Sequence, residues 1–161
     1  MTYAQSSGVV VDTMVISWLF SDRPNLLAER YRKLIGPQPV LLAFQTVMEL
    51  RYGILRAGWG QLRRRRFEHR IAELAVIRPD DEMITTCANL RVRCAQIGHA
   101  LGNKLHDGDR WIATAAMRLG VPLVSRDGVF NGVPGLDLIT LLATSSNLYP
   151  VRSESLRPKH S

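Results

Sequence analysis

The stretch from Asn103 to Phe130, NKLHDGDRWIATAAMRLGVPLVSRDGVF, constrains the fold more than any other part of the chain. It reads as a helix, a tight glycine turn, a buried strand and an acid at the strand's end. Asp107 and Asp109 open the helix. Ile112, Ala115, Ala116 and Leu119 recur at helical spacing, and Ala113, Ala115 and Ala116 let the helix lie close on a sheet. Gly120 stops the helix, Pro122 follows, and Val121 to Ser125 is an apolar run of strand length. Asp127 stands just past it. A strand without polar alternation that follows a helix belongs to a parallel sheet covered on both faces, and such sheets bind ligands at the carboxyl ends of their strands.

The same punctuation recurs along the chain. Gly8 to Val11 is a short apolar run ending at Asp12 and Thr13, Pro39 introduces Val40 to Ala43, and Leu74 to Ile77 and Leu136 to Leu142 are further strands. Between them, helices are expected over Met14 to Phe20, Leu26 to Ile35, Phe44 to Arg56, the segment around Arg63 to Arg66, and Glu82 to about His99. The order β-α-α-β-α-α-β-α-α-β-β predicts an α/β layered fold on a mostly parallel sheet. The 161 residues suit one domain. It is expected to occupy residues 1–144, with residues 1–7 a loose leader and the polar residues 145–161 a disordered tail. No apolar run reaches the ~18–20 residues of a membrane span, and no basic region leads into a long apolar stretch. The expectation is a cytoplasmic protein with no membrane partner. Cys87 and Cys94 are seven positions apart in one expected helix, about 10 Å along its axis, too far to bridge.

Four acids have comparable addresses. Asp12 and Asp127 end strands, Asp109 lies in a helix's first turn, and Glu49 flanks a helix stripe one turn before Gly53. Two have a bland alternative: Asp12 as a helix cap, Glu49 as a solvated surface residue. Parallel strands bring Asp12 and Asp127 to one edge. If the others face that edge, the carboxylates repel one another unless a cation neutralises them. Oxygen-loving Mg²⁺ or Mn²⁺ suits such a group, and would activate water and clamp a phosphoryl oxygen. The net charge of +7 and pI near 10.1 point to a polyanionic partner, nucleic acid before an anionic membrane. Arg63, Arg64, Arg65 and Arg66 are read as phosphate contacts, because Glu68 and Glu73 are too few to neutralise them. Lys104, His106 and Arg110 form the alternative RNA surface.

The motifs VVVDT, MELRYG, DRWIATA and PLVSRDGVF, in this order and spacing, resemble the PIN-domain family from about Val9 to Ile139, and most closely the VapC-type toxin ribonucleases of toxin–antitoxin pairs. The resemblance implies a three-layer α/β/α sandwich and a Mg²⁺-dependent endoribonuclease that cleaves structured RNA (tRNA or rRNA), Mn²⁺ being the other candidate ion. It implies Asp12, Asp109 and Asp127 as metal ligands, Glu49 as ligand or water-orienting base, and Thr13 and Ser125 as supporting hydroxyls. It further implies a homodimer and a cognate antitoxin offering Arg or an apolar helix. Many members carry another acid two residues after the last Asp, where this chain has Val129; that bears on a second metal ion. Asp107 is an extra acid beside Asp109, read as a helix cap. Two rival functions are a non-catalytic RNA-binding module of the same fold, and a phosphatase using Asp12 as nucleophile. The latter needs a second Asp where Met14 stands.

Overall fold

The computed structural model describes residues 7–143 and 148–153. The strands are β1 (Val9–Val11), β2 (Val40–Ala43), β3 (Ala75–Ile77), β4 (Leu123–Val124), β5 (Leu138–Ala143) and β6 (Leu148–Ser153). The helices are α1 (Thr13–Phe20), α2 (Leu26–Ile35), α3 (Phe44–Arg56), α4 (Gln61–Ala72), α5 (Asp81–Gln96) and α6 (Asp107–Leu119). Short 3-10 turns stand at Ala100–Gly102, Lys104–His106 and Gly128–Phe130. The strands form one sheet in the order β3-β2-β1-β4-β5-β6, parallel except for β6. The chain runs outward from β1 to β3, then restarts at β4 on the other side of β1. The strand order therefore reverses between β1 and β4, the place where open α/β sheets hold ligands.

Side-chain alternation along β1 builds the layers. Val10 faces a core shared with α5 and α6, whereas Val9 and Val11 face a core shared with α1, α2, α3 and α4. All three valines are fully buried, which stabilises the fold by roughly 1.5–3 kcal/mol each relative to exposure. The expected three-layer α/β/α sandwich is what forms. Gly120 ends α6 in the left-handed conformation (φ 64°), as its place before Pro122 implies. Cys87 and Cys94 are buried free thiols. Among the described residues no helix is long and apolar enough to cross a membrane.

The expected disordered tail needs correction where it is described. Leu148–Ser153 is β6, an antiparallel edge strand that pairs with β5 from Leu138↔Ser153 to Ala143↔Leu148. Pro150 sits within it opposite Leu141, which an edge strand tolerates. Arg152 closes the pairing with a two-pronged contact to Asp137, at 2.9 and 2.6 Å. Residues 1–6, 144–147 and 154–161 lie outside the described residues, and with them most of the expected leader and the rest of the tail.

Two glycines set local packing in opposite senses. A Cβ at Gly102 would stand 2.6 Å from the Ala95 nitrogen and 2.7 Å from its Cα, both backbone atoms of α5. A Cβ at Gly53, inside α3, would meet nothing within 4 Å. Gly102→Ala is expected to destabilise by about 1–3 kcal/mol through overpacking. Gly53→Ala is expected to stabilise by about 0.5–1 kcal/mol by restricting the unfolded chain and favouring the helix. Urea denaturation of both variants checks the pair of signs.

Candidate active site

Asp12 leaves β1 in an extended conformation and becomes the N-cap of α1. One carboxyl oxygen, Oδ1, accepts from the Val15 backbone N–H at 2.9 Å, and the other, Oδ2, accepts from the Ser125 hydroxyl in a short hydrogen bond. The residue thus fills the cap role and also projects its second oxygen toward β4. Only 4% of it is exposed. Burial pushes its pKa from 3.8 to about 6; the bonds from Ser125 and Val15 pull down, and the charges of Asp127 and Glu49 push up further. Ser125, fully buried after β4, also accepts from the Asp127 backbone N–H at 3.0 Å. Asp127 itself caps the following turn by accepting from Val129 N–H at 2.9 Å, and it remains exposed.

Glu49 is fixed at both oxygens. The Thr13 hydroxyl donates to Oε2 in a short hydrogen bond, and Gln45, one turn earlier on α3, donates to Oε1 at 2.9 Å. The start of α6 comes against this pair. A Cβ on Gly108 would lie 2.8 Å from Gln45 Nε2 and 3.2 Å from Glu49 Oε1, so a glycine permits the approach. Asp109 follows, with Oδ2 2.9 Å from His106 Nδ1.

The structure therefore sets Glu49 and Asp127 close enough to act on the Asp12 carboxyl, and sets the turn carrying Asp109 against Glu49. Among the described residues, Asp12, Glu49 and Asp127 form no ion pair with a basic side chain. Nor do any three Asp, Glu, His or Cys side chains among them converge tightly enough to hold an ion unaided. The donors are all oxygens, and the negative charge is uncompensated. That fits a hydrated Mg²⁺ or Mn²⁺, since Mg²⁺ keeps several waters and takes only one or two carboxylates directly.

A groove of about 950 Å³ runs from Thr13 and Glu49 between α1, α3 and α4 to Trp59, Arg63, Arg66 and Arg70. Of the four adjacent arginines, Arg63 and Arg66 line it. The Arg63 guanidinium lies 3.5 Å over the Trp59 ring, and Arg64 Nε instead donates to the Trp59 carbonyl at 2.8 Å. Of the nearby acids, Glu68 is taken by Arg51 at 2.9 Å and Glu73 by His69 at 3.5 Å, while Asp22 lines the groove itself.

Three residues near the acids correct or extend the sequence reading. Arg110, offered as an RNA contact, is 3% exposed and points inward, donating to the carbonyls of Leu101 and Asn103 and to Asp107. Asp107 is accordingly an ion-pair partner in α6's first turn, and the N-cap position belongs to His106. Gln45 was not singled out at all. Its one signal is the four-residue spacing to Glu49, at which Gln and acidic side chains meet on a helix.

Asp12 gives a pH-dependent stability in metal-free protein. Its folded pKa, about 6, lies above its ordinary value of 3.8, so the folded state holds the proton more tightly. Its contribution to stability is fully present below about pH 3.8 and is lost as pH rises through about 6. The gap corresponds to about 3 kcal/mol. Asp12→Asn should therefore gain on the unaltered chain between pH 4 and pH 8 by about 2–3 kcal/mol, measured by urea melts in EDTA. An advantage that does not grow with pH would place the Asp12 carboxyl at its ordinary value.

Residues 9–136 match the PIN domain family. Ribonuclease VapC5 of Mycobacterium tuberculosis is 26% identical over 108 residues, covering 66% of this chain and 77% of that protein. The fold is similar to the crystal structure of VapBC2 from Rickettsia felis bound to a promoter DNA fragment, with a TM-score of 0.67 at 19% identity over 82% of this chain and 97% of that one. It is also similar to VapBC-5 from Mycobacterium tuberculosis, with a TM-score of 0.59 at 24% identity over 81% of this chain and 96% of that one. The family match takes in every strand from β1 to β4 and the acids at their ends: this chain belongs to the PIN-domain family, and Ribonuclease VapC5 is among the proteins it resembles.

Proposed function

We propose that this chain is a metal-dependent endoribonuclease, the toxin of a toxin–antitoxin pair, acting on structured RNA such as tRNA or rRNA. The observation that carries the reading is the buried Asp12 carboxyl set beside Glu49 and Asp127, with no basic partner among the described residues, at the reversal of strand order. The kinship to Ribonuclease VapC5 supports the RNA substrate, and the VapBC structures support an antitoxin partner. Asp12, Asp109 and Asp127 would hold Mg²⁺ or Mn²⁺. When bound, such an ion supplies a nucleophilic water at neutral pH and neutralises charge on the phosphate. Ser125 orients Asp12 by its hydrogen bond, and Thr13 orients Glu49. With Thr13 and Gln45 holding its two oxygens, Glu49 is a fixed acceptor suited to orient the attacking water and receive its proton. Arg63 and Arg66 hold the RNA backbone along the groove.

The antitoxin is read as an apolar helix with acidic side chains. The groove floor carries Leu50, Ile54 and Phe67, and Arg23, Arg63 and Arg66 stand along it. For a homodimer, α3 offers an exposed apolar strip, Met48, Tyr52 and Leu55, on its outer face. Val129 packs against the core beside α6, which leaves no acid where a second ion's ligand would stand.

Purified protein is expected to cleave RNA with Mg²⁺ or Mn²⁺ and to stop in EDTA; undiminished cleavage in EDTA would refute the proposal. Glu49→Gln should lower the rate by about 10²–10⁴-fold, the usual contribution of a general base. Mapping RNA 5′ ends after brief expression, with and without Asp12→Asn, identifies the substrate. An Asp12→Asn protein that binds RNA, beside an unaltered chain that cuts none, would instead favour the non-catalytic module.

The arginines give a separate expectation. In an Asp12→Asn background, changing Arg63 and Arg66 to Gln should reduce the magnitude of the log–log salt slope for single-stranded RNA binding by about 1.4, at about 0.7 per lost phosphate contact. The same change at Arg64 and Arg65 should alter the slope less. Equal slopes for both pairs would move the RNA surface away from the groove.

A further inference from the structure

We propose that His106 is a positioning residue for Asp109, holding one carboxylate oxygen so that the other faces the metal. This rests on the metal-dependent reading above and deepens it. No motif of the resemblance includes His106. The observation is the 2.9 Å contact between His106 Nδ1 and Asp109 Oδ2. An ionised carboxylate only accepts, so Nδ1 carries the hydrogen and donates it. Oδ1 of Asp109 has no protein partner among the described residues.

The contact is built from beneath. Arg110, 3% exposed, donates to the carbonyls of Leu101 and Asn103 and to the Asp107 carboxylate. Asn103 Oδ1 accepts from Leu105 N–H at 3.0 Å, and His106 N–H donates to the Asn103 carbonyl at 3.1 Å. The turn that presents His106 is therefore pinned on both sides of the residue, by Asn103 before it and Asp107 after it. Gly108, the residue before Asp109, lies against Gln45 and Glu49. A surface histidine that met Asp109 by chance would not need this scaffold. Outer hydrogen-bond partners of this type fix the rotamer of a metal-binding carboxylate, and their loss typically costs 10–100-fold in metal affinity.

The test is Mn²⁺ binding by the full chain, measured by calorimetry in the absence of RNA. His106→Leu keeps bulk and removes the donor. His106→Asn returns an N–H close to the position of Nδ1. His106→Leu is expected to weaken Mn²⁺ binding by about 10–100-fold and His106→Asn to recover most of that loss. Melting midpoints in EDTA should coincide for all three proteins. RNA cleavage should show the same ranking as a higher Mn²⁺ requirement, with unchanged KM for RNA at saturating metal. Wild-type Mn²⁺ affinity in His106→Leu would overturn this proposal alone. So would a fall in the EDTA melting midpoint shared by both variants, which would make the histidine structural. No Mn²⁺ binding by the unaltered chain would overturn the metal reading, and this proposal with it.

Discussion

The pairing of β1 with β4 is the constraint on which the rest of the site depends. Val10 lies opposite Leu123 and Val11 opposite Val124, and Asp12 N–H donates to the Val124 carbonyl at 3.1 Å. This places Ser125 beside Asp12 although 113 positions separate them in the chain. The pairing is parallel, so both strands release their next residues at the same edge. A slip of one residue would turn Asp12 toward a helix layer and a valine toward the edge. The fully buried valines of β1 resist such a slip, because it would swap the faces of both cores at once.

Burying a carboxylate is costly, and the fold offsets the cost only in part. Two hydrogen bonds, from Val15 and Ser125, favour the ionised form of Asp12, yet desolvation outweighs them and the pKa still rises to about 6. Among the described residues no arginine pairs with it, although the chain carries an excess of basic residues. A structural role would be served by a cap that faces solvent, as Asp80 does for α5. Carboxylates grouped in this way, with Asp12 buried, lower their mutual repulsion when a cation is bound, which is the physical ground for the proposed metal.

Most of the fold was legible because each helix and parallel strand has one clean signal. Leu26–Ile35, Val40–Ala43 and Phe44–Arg56 match their expected bounds, set by Gly36, Pro39 and the onset of helical spacing. β6 was not legible. Its LYPVRS sequence contains a proline, and its two partly buried residues, Leu148 and Val151, fall on opposite faces, so neither alternation nor apolar content marks it. The strand ends of the acids could be read from the same runs. Arg110 could not, because an arginine three residues after Asp107 looks like a surface ion pair, and only the surrounding carbonyls of the turn show that it faces inward. Gln45 leaves only its four-residue spacing to Glu49, and His106 acts through a single hydrogen bond along a turn, which leaves no periodic trace.

The charge pattern along the groove resolves an apparent conflict between a basic protein and an acidic site. The arginine run divides by helix rotation: Arg63 and Arg66 face the groove, while Arg64 turns back to the Trp59 carbonyl. The groove thus carries Arg23, Arg63, Arg66 and Arg70 together with the acids Asp22 and Glu49. On the proposed reading, a polyanion would be drawn by the arginines and repelled by the carboxylates until a cation is bound beside them. The same groove suits a partner helix with acidic side chains, which would take the arginines without needing a metal. Substrate and inhibitor would then compete for one set of guanidinium groups, and only the substrate would depend on what the carboxylates hold.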